Sequence, residues 1–223
     1  MTFDDEDQWI HPAWRGKVKV DDSNGLKFAN FSLVMGWIVK LEFEKDGSPM
    51  DGSGFFVDIP NPKYYVIFTV AHNLVSKTGT PAKDIKAYNT KYFGEMGYSV
   101  PPEHVIWCDD YVRNPVPETD YGFIRIPKPL HNAEQRGFGF GFSIKLAYED
   151  YFRGEVHVTG FKGEQTVTST GRSGICSKEV VKYYASTEPG ISGSAVWIAY
   201  KSLPVIVAIQ YAIFSPSILS CNH

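Results

Sequence analysis

The sequence predicts an all-β protein built of two six-stranded antiparallel β-barrels packed together. Two observations predict this fold class. Short β-rich runs alternate with turn clusters along the whole chain, and no helical period is sustained before residue 130. About six such runs occur in each half, and closing each set into a barrel would remove exposed sheet edges. With 223 residues, the chain can bury a sizeable core.

The runs of the first half are rich in the β-branched and aromatic residues that favour strands. They are Ser32–Glu44, Gly54–Ile59, Tyr64–Val70, Asp84–Tyr88, His104–Cys108 and Tyr121–Ile126. The clusters EKDGSPMDG and IPNPK separate the first three runs, and their glycine, proline and aspartate content is typical of turns. This half therefore reads as an antiparallel meander or barrel.

The segment KPLHNAEQRGFGFG, residues 128–141, breaks this pattern and is the predicted link between the halves. The second half continues with the runs FSIKLAY, EVHVTGF, EVVKYYA, SAVWIAY and PVIVAIQYAIF. The predicted organisation is thus an N-terminal arm at 1–31, a first barrel at 32–130 and a second barrel at 131–223.

Composition excludes several classes of partner and site. A net charge of −3 gives no electrostatic reason to expect nucleic acid or an anionic membrane. The acidic start MTFDDEDQWIHP lacks the apolar core of a secretory signal, and no apolar run approaches the ~20 residues of a membrane span. Cys108, Cys176 and Cys221 show no metal-ligand spacing and no disulfide framework. A cytoplasmic protein without metal or cofactor is expected.

Three polar residues lie at the ends of predicted apolar strands, where the chain leaves the core. His72 follows the strand that ends in IFTVA, Asp120 precedes YGFIRI, and Ser192 precedes the strand SAVWIAY. Strand ends hold side chains rigidly and therefore suit catalytic groups. Ser192 also lies between Gly190 and Gly193, and glycines let backbone N–H groups approach a substrate carbonyl closely.

These three residue types supply the chemistry of acyl transfer. A serine hydroxyl is a weak nucleophile until a base takes its proton. An imidazole can take that proton near neutral pH and return it to the leaving amine, while a buried aspartate fixes the imidazole tautomer. His72, Asp120 and Ser192 are therefore the predicted general base, orienting carboxylate and nucleophile of a serine hydrolase.

Other aspartates and histidines compete for these roles. Asp109 and Asp110 lie in CDDYVRNP, which has the composition of an exposed turn. Asp120 is favoured because the apolar strand after it would help to bury its carboxylate. The remaining histidines have no partner by sequence and are interpreted as surface or structurally satisfied residues: His11, His104, His131, His157 and His223.

Four segments resemble the motif blocks of the chymotrypsin-fold serine endopeptidases, especially the glutamyl-endopeptidase branch. They are GSGFFV from Gly52, TVAHNL around His72, TDYGFIRI around Asp120 and TEPGISGSAV around Ser192. The segment VHVTGF also resembles a second-barrel strand of that branch, with Lys162 where a proline is usual. The resemblance extends over residues 32–213 and implies a chymotrypsin-like double barrel with serine endopeptidase activity.

The same resemblance implies the parts around the nucleophile. The oxyanion hole would consist of the backbone N–H groups of Gly190 and Ser192. Trypsin-like zymogens have an aspartate just before the serine that pairs with a freed N-terminus; Ile191 stands there and cannot form that ion pair. The implied specificity pocket is lined by Ser186, Thr187, Gln210 and Tyr211.

The implied pocket has no charge to match a charged substrate residue. Glutamyl endopeptidases place a histidine where Gln210 stands, and no aspartate occupies position 186, as a trypsin-like preference for Arg or Lys would require. We therefore expect cleavage after a small or neutral polar residue. Glu188 pointing into the pocket is the alternative, and it would favour a basic residue.

The expected partner is a peptide or protein substrate. Only SPSILSCNH follows Phe214, whereas the relatives continue with another strand and a helix. Either this chain is the protease domain of a longer regulated protein, or its second barrel closes with fewer residues. The N-terminal arm is read either as packing on the body or as inhibitory. A catalytically inactive, protease-like binding or scaffold module is the alternative function.

Overall fold

The computed structural model describes residues 33–59, 61, 63–128, 137–140, 155–176, 181–185, 190–200 and 203–211. These residues form two β-sheets, one from residues 38–127 and the other from residues 139–209. The predicted arm at 1–31 and the predicted boundary between 130 and 131 lie outside the described residues, so the domain limits stay a prediction.

The first sheet has seven strands in the order β5-β4-β1-β2-β3-β7-β6, and all neighbours pair antiparallel. Their bounds are β1 Ile38–Lys45, β2 Ser48–Val57, β3 Tyr64–Thr69, β4 Lys83–Tyr88, β5 Tyr98–Ser99, β6 Val105–Trp107 and β7 Gly122–Pro127. Asp46 and Gly47 both have positive φ and make the tight turn between β1 and β2.

The second sheet has six strands in the order β11-β10-β9-β12-β13-β8. Their bounds are β8 Gly139–Phe140, β9 Glu155–Lys162, β10 Gln165–Cys176, β11 Val181–Tyr184, β12 Ala195–Tyr200 and β13 Leu203–Ile209. Its pairs are antiparallel except β8 with β13, which run parallel.

The all-β class with two packed sheets is confirmed, and the strand details differ in three places. The first sheet has seven strands, because the two-residue strand β5 pairs with β4. Strand β1 begins only at Ile38, because residues 33–35 are helical and the N–H groups of Gly36 and Trp37 donate to the carbonyls of Leu33 and Val34 in the turn that follows. The long strand β10 was not predicted, since QTVTSTGRSGIC has too few large apolar residues. The predicted strand FSIKLAY lies outside the described residues.

Helices are few and short. They are α1 Ala71–Leu74, α2 Thr90–Phe93 and α3 Asp109–Arg113, with 3₁₀ turns at Pro102–His104 and Pro117–Thr119. Among the described residues, none of the helices has the length and apolar character needed to cross a membrane.

An aromatic cluster joins the two sheets. The Phe138 ring lies 5.6 Å from Phe55 and 5.3 Å from Trp37, centroid to centroid, and 6.2 Å from Trp197 of β12. Phe55, Phe138 and Trp197 are each at most 1% exposed. At the rim, the Lys40 ammonium of β1 pairs with Glu164 in the turn between β9 and β10. One apolar cluster therefore contains residues of both sheets, and the second sheet has a further core of its own around Val156 and Ile198.

Candidate active site

The pairing of β3 with β7 brings His72 and Asp120 to one sheet edge. Thr69, the last residue of β3, lies opposite Gly122, the first residue of β7. Antiparallel neighbours place the end of one strand beside the beginning of the next. His72 lies three residues beyond Thr69, on α1, and Asp120 lies two residues before Gly122, so both leave the sheet at the same place.

Two hydrogen bonds fix the Asp120 carboxylate against His72. The backbone N–H of His72 donates to Oδ1 at 2.8 Å, and the imidazole Nδ1 lies 2.6 Å from Oδ2. The side chain of Asp120 is 1% exposed and that of His72 is 26% exposed. A buried carboxylate needs such donors. Nδ1–H donates to Oδ2 and leaves the other ring nitrogen, Nε2, free to accept a proton.

Helix α3 shields this pair from solvent. Tyr111 is 3% exposed and packs with Ala71 and Val75, which flank His72 in the chain. Burial, together with the nearby negative charge of Asp120, raises the pKa of Tyr111 to about 12. Tyr111 therefore stays neutral at neutral pH. The rival candidates Asp109 and Asp110 lie on the same helix and are both exposed.

The loop that carries Ser192 is held by two glycines and an apolar anchor. Gly190 and Gly193 have φ of 93° and 87°, a region that residues with a Cβ rarely adopt. Ile191 is 5% exposed and packs in the core of the second sheet with Val156. The loop then enters β12, whose first residue pairs with both β9 and β13.

The same loop is bonded to the first sheet beside His72. The Ser192 carbonyl accepts a hydrogen bond from the Ser53 N–H of β2 at 2.8 Å and another from Asn73 Nδ2 at 3.1 Å. Asn73 is the residue after His72. The structure therefore places the Ser192 backbone against the helix that carries the imidazole.

The backbone N–H groups of the Ser192 loop fall into two sets, those that donate to a described backbone carbonyl and those that do not. The Gly193 N–H donates to the Gln210 carbonyl at 2.8 Å, and the Ser194 N–H donates to the Ile191 carbonyl at 3.0 Å. Within the described residues, the N–H groups of Gly190 and Ser192 donate to no backbone carbonyl. These are the two donors predicted for the oxyanion hole.

The predicted specificity pocket is only partly described. Gln210 is 4% exposed, and its backbone N–H donates to the Ser194 carbonyl at 2.9 Å. The Tyr211 ring lies 6.4 Å from the His72 ring, centroid to centroid, at a steep angle. Ser186, Thr187 and Glu188 lie outside the described residues, as do His11, His131 and His223. His157 is buried in the second sheet, with Nδ1 3.0 Å from Thr170 Oγ1.

Sequence reasoning missed Lys45, a cation at the back of the site. Its Nζ donates to the His72 carbonyl oxygen at 2.5 Å. Burial lowers the pKa of the Lys45 ammonium, and the negative charges of Asp46 and Asp120 partly oppose this effect. No motif marks this residue, because β1 reaches α1 only in three dimensions.

No group of three or more His, Cys, Asp or Glu side chains that could hold a metal ion is found among the described residues.

Comparison with known proteins shows the fold. No protein-family model and no curated protein matches the sequence. A thermostable serine protease, AL20, from an extremophilic microorganism is 11% identical with a TM-score of 0.59, over 82% of this chain and 88% of that chain. The protease Anisep from Arthrobacter nicotinovorans is 15% identical with a TM-score of 0.55, over 81% and 85%. A Glu endopeptidase is 14% identical with a TM-score of 0.55, over 81% and 80%. The chain has the chymotrypsin-like fold of these serine proteases.

Proposed function

We propose that the protein is a serine endopeptidase that cleaves peptide bonds through an acyl-enzyme intermediate on Ser192. The observation that carries the proposal is the His72–Asp120 pair, with Nδ1 and Oδ2 2.6 Å apart, next to a loop whose Ser192 carbonyl is bonded to Asn73. A buried carboxylate bonded to a partly exposed imidazole is the arrangement that prepares an imidazole as a base. The fold shared with serine proteases supports the same function.

In the proposed reaction, Nε2 of His72 takes the proton of the Ser192 hydroxyl as Oγ attacks the substrate carbonyl carbon. The carbonyl electron pair moves to its oxygen, and the N–H groups of Gly190 and Ser192 stabilise that charge. His72 then gives its proton to the leaving amine, the C–N bond breaks, and an acyl ester remains on Ser192. Water then attacks the acyl carbon while Nε2 of His72 takes its proton. The ester C–O bond breaks and His72 returns that proton to Oγ, which releases the acid and restores the hydroxyl.

Asp120 contributes position and charge to these steps. Its Oδ2 accepts from Nδ1–H and so keeps the lone pair of the imidazole on Nε2. Its negative charge stabilises the imidazolium that exists between the two proton transfers. The substrate is a peptide or protein, and the uncharged side chains of Gln210 and Thr187 support a small or neutral polar residue before the cleaved bond.

A fluorophosphonate probe tests the proposal, because it reacts with a serine hydroxyl only when a neighbouring base activates it. We expect wild-type protein to be labelled at Ser192 and Ser192→Ala to take up no label. Ser194→Ala is the matched control: Ser194 lies two residues on, is fully buried, and its Oγ has no hydrogen-bond partner within the described residues. This variant should be labelled as the wild type is.

The absence of label on the wild-type protein, under conditions that label a reference serine protease, would contradict the proposal. That result would favour the alternative of a protease-like module that binds peptides or partners without cleaving them. Label on both wild type and Ser192→Ala would mean that another residue reacts, and it would remove Ser192 from the proposed role.

A further inference from the structure

A group of buried polar atoms joins the two sheets directly behind Ser192. This inter-sheet polar cluster consists of the side chains of Thr69 and Asn73, the backbone of Ser53 and the peptide group between Ser192 and Gly193. Ser53 and Thr69 have no exposed surface, and Asn73 is 2% exposed. Burying polar groups is unfavourable unless they are bonded to one another, so their partners are informative.

The Asn73 side chain spans the cluster through one nitrogen. Its Nδ2 donates to the Ser192 carbonyl at 3.1 Å and to Thr69 Oγ1 at 3.0 Å. A backbone carbonyl can only accept, so the atom facing Ser192 must be the amide nitrogen. Thr69 Oγ1 in turn donates to the Ser53 carbonyl at 2.7 Å, which leaves its lone pairs for Asn73.

Bonds from both sheets fix the Ser192–Gly193 peptide group. On its carbonyl side it accepts from Asn73 and from the Ser53 N–H, both in the first sheet region. On its N–H side it donates to the Gln210 carbonyl of the second sheet region at 2.8 Å. A peptide group is planar, so holding both ends fixes its orientation. The adjoining Cα of Ser192 carries the hydroxyl.

The packing leaves no room to move this peptide group. A Cβ added at Gly193 would clash with the Ser53 carbonyl oxygen and with Thr69 Oγ1. A Cβ added at Gly52 would clash with the Asn73 amide. Both glycines are therefore required for the close approach, and Gly193 also needs its positive φ.

Helix α1 thus holds two parts of the site with neighbouring residues. His72 carries the imidazole on its exposed side, and Asn73 points inward to the Ser192 carbonyl. A displacement of the Ser192 loop relative to α1 would have to break the Asn73 bond first. Together with the Ser53 N–H, the Asn73 side chain therefore links the Ser192 loop to the part of the first sheet that carries the imidazole.

We propose that Asn73 is a positioning residue that fixes the Ser192–Gly193 peptide group and thereby aims the Ser192 hydroxyl and N–H at the substrate. The proposal rests on the proposed function of Ser192. Asn73 is not a catalytic residue, because it touches neither substrate nor reacting atoms. Thr69 supports it by holding the amide in the orientation that donates to Ser192.

Asn73→Leu tests the proposal, because leucine has a similar shape and lacks both donors. We expect kcat to fall by about 10²-fold, since a small misplacement of reacting groups has an effect of that order. KM should change by less than about twofold, because Asn73 lies behind the nucleophile and away from the substrate. A loss that appears in KM with kcat unchanged would overturn the proposal.

Thr69 provides a matched pair in case Asn73→Leu fails to fold. Thr69→Val keeps the shape and removes the hydroxyl, whereas Thr69→Ser keeps the hydroxyl and removes a methyl group. The proposal expects a lower kcat in Thr69→Val and a nearly normal kcat in Thr69→Ser. Ile85→Val, in the buried face of β4, is the control for lost stability alone, and it should keep its kcat. Equal kcat for Thr69→Val and Thr69→Ser would overturn the proposal.

Hydrogen exchange at the Gly193 N–H gives a readout that needs no activity. In the wild type this N–H is protected by its bond to the Gln210 carbonyl. We expect exchange about tenfold faster in Asn73→Leu and Thr69→Val and unchanged in Ile85→Val. If wild type neither cleaves nor takes up the probe while exchange behaves as expected, the proposed function fails and the positioning of the loop by Asn73 stands. Unchanged exchange in Asn73→Leu would overturn the positioning itself.

Discussion

Ser192→Ala should lower kcat by about 10⁶-fold while the protein keeps its melting temperature. Without Oγ no acyl-enzyme can form, and only the N–H groups of the oxyanion hole and substrate binding remain to assist water. The backbone of the loop is held by bonds to the Ser192 carbonyl, which alanine retains. A peptide library with neutral polar and small residues at the cleaved position is the substrate for the measurement.

The double variant Ser192→Ala/His72→Ala gives the control for this prediction. Residues that act as a unit are not additive, so the double variant should be no slower than Ser192→Ala alone. A further large loss in the double variant would mean that His72 acts on a different nucleophile. Turnover by Ser192→Ala close to that of the wild type would remove Ser192 from the reaction.

Asp120→Asn should lower kcat by about 10⁴-fold, and the structure gives the reason. Asp120 accepts two hydrogen bonds, one from the His72 backbone N–H at Oδ1 and one from Nδ1–H at Oδ2. The backbone N–H can only donate, so an asparagine must place its carbonyl oxygen there. Its NH₂ group then faces Nδ1, which must become an acceptor. The proton moves to Nε2, where the base needs a lone pair.

The pH–rate profile of Asp120→Asn and a comparison with Asp120→Ala test this explanation. Asp120→Asn should regain part of its rate at high pH, where the hydroxyl of Ser192 loses its proton more readily without a base. Asp120→Ala removes the carboxylate without imposing the wrong tautomer, and it should be less impaired relative to the wild type than the asparagine variant at neutral pH. Equal rates for wild type and Asp120→Asn would show that Asp120 does not orient the imidazole.

Much of the candidate site could be predicted because it lies at strand ends. The runs Tyr64–Val70 and Tyr121–Ile126 have the apolar, aromatic and β-branched composition of strands, so the residues just outside them were identifiable from the sequence. The structure pairs these strands and brings His72 and Asp120 together. Ser192 was identifiable because two glycines and an apolar strand surround it.

Other parts of the site carried no local signal. Asn73 and Thr69 lie in a segment without a recognisable motif, and the Ser192 carbonyl to which Asn73 donates lies 119 residues further along the chain. Lys45 ends a strand that contacts α1 only after folding. Strand β10 was missed because threonine, serine and glycine dominate it, and its position depends on pairing with β9. Such features depend on contacts between distant segments, which a periodicity in the sequence does not encode.

The division of the site between two sheets has a consequence for the newly made chain. Strands β1 to β7 all come from residues 38–127, so the first sheet is fully synthesised well before Ser192 leaves the ribosome. At roughly 5–20 residues per second, the hydroxyl follows Asp120 by several seconds. During that interval the growing chain contains His72 and Asp120 but not Ser192. Under the proposed function, the incomplete chain therefore has no nucleophile, and cleavage can begin only after the second sheet has been made and has docked.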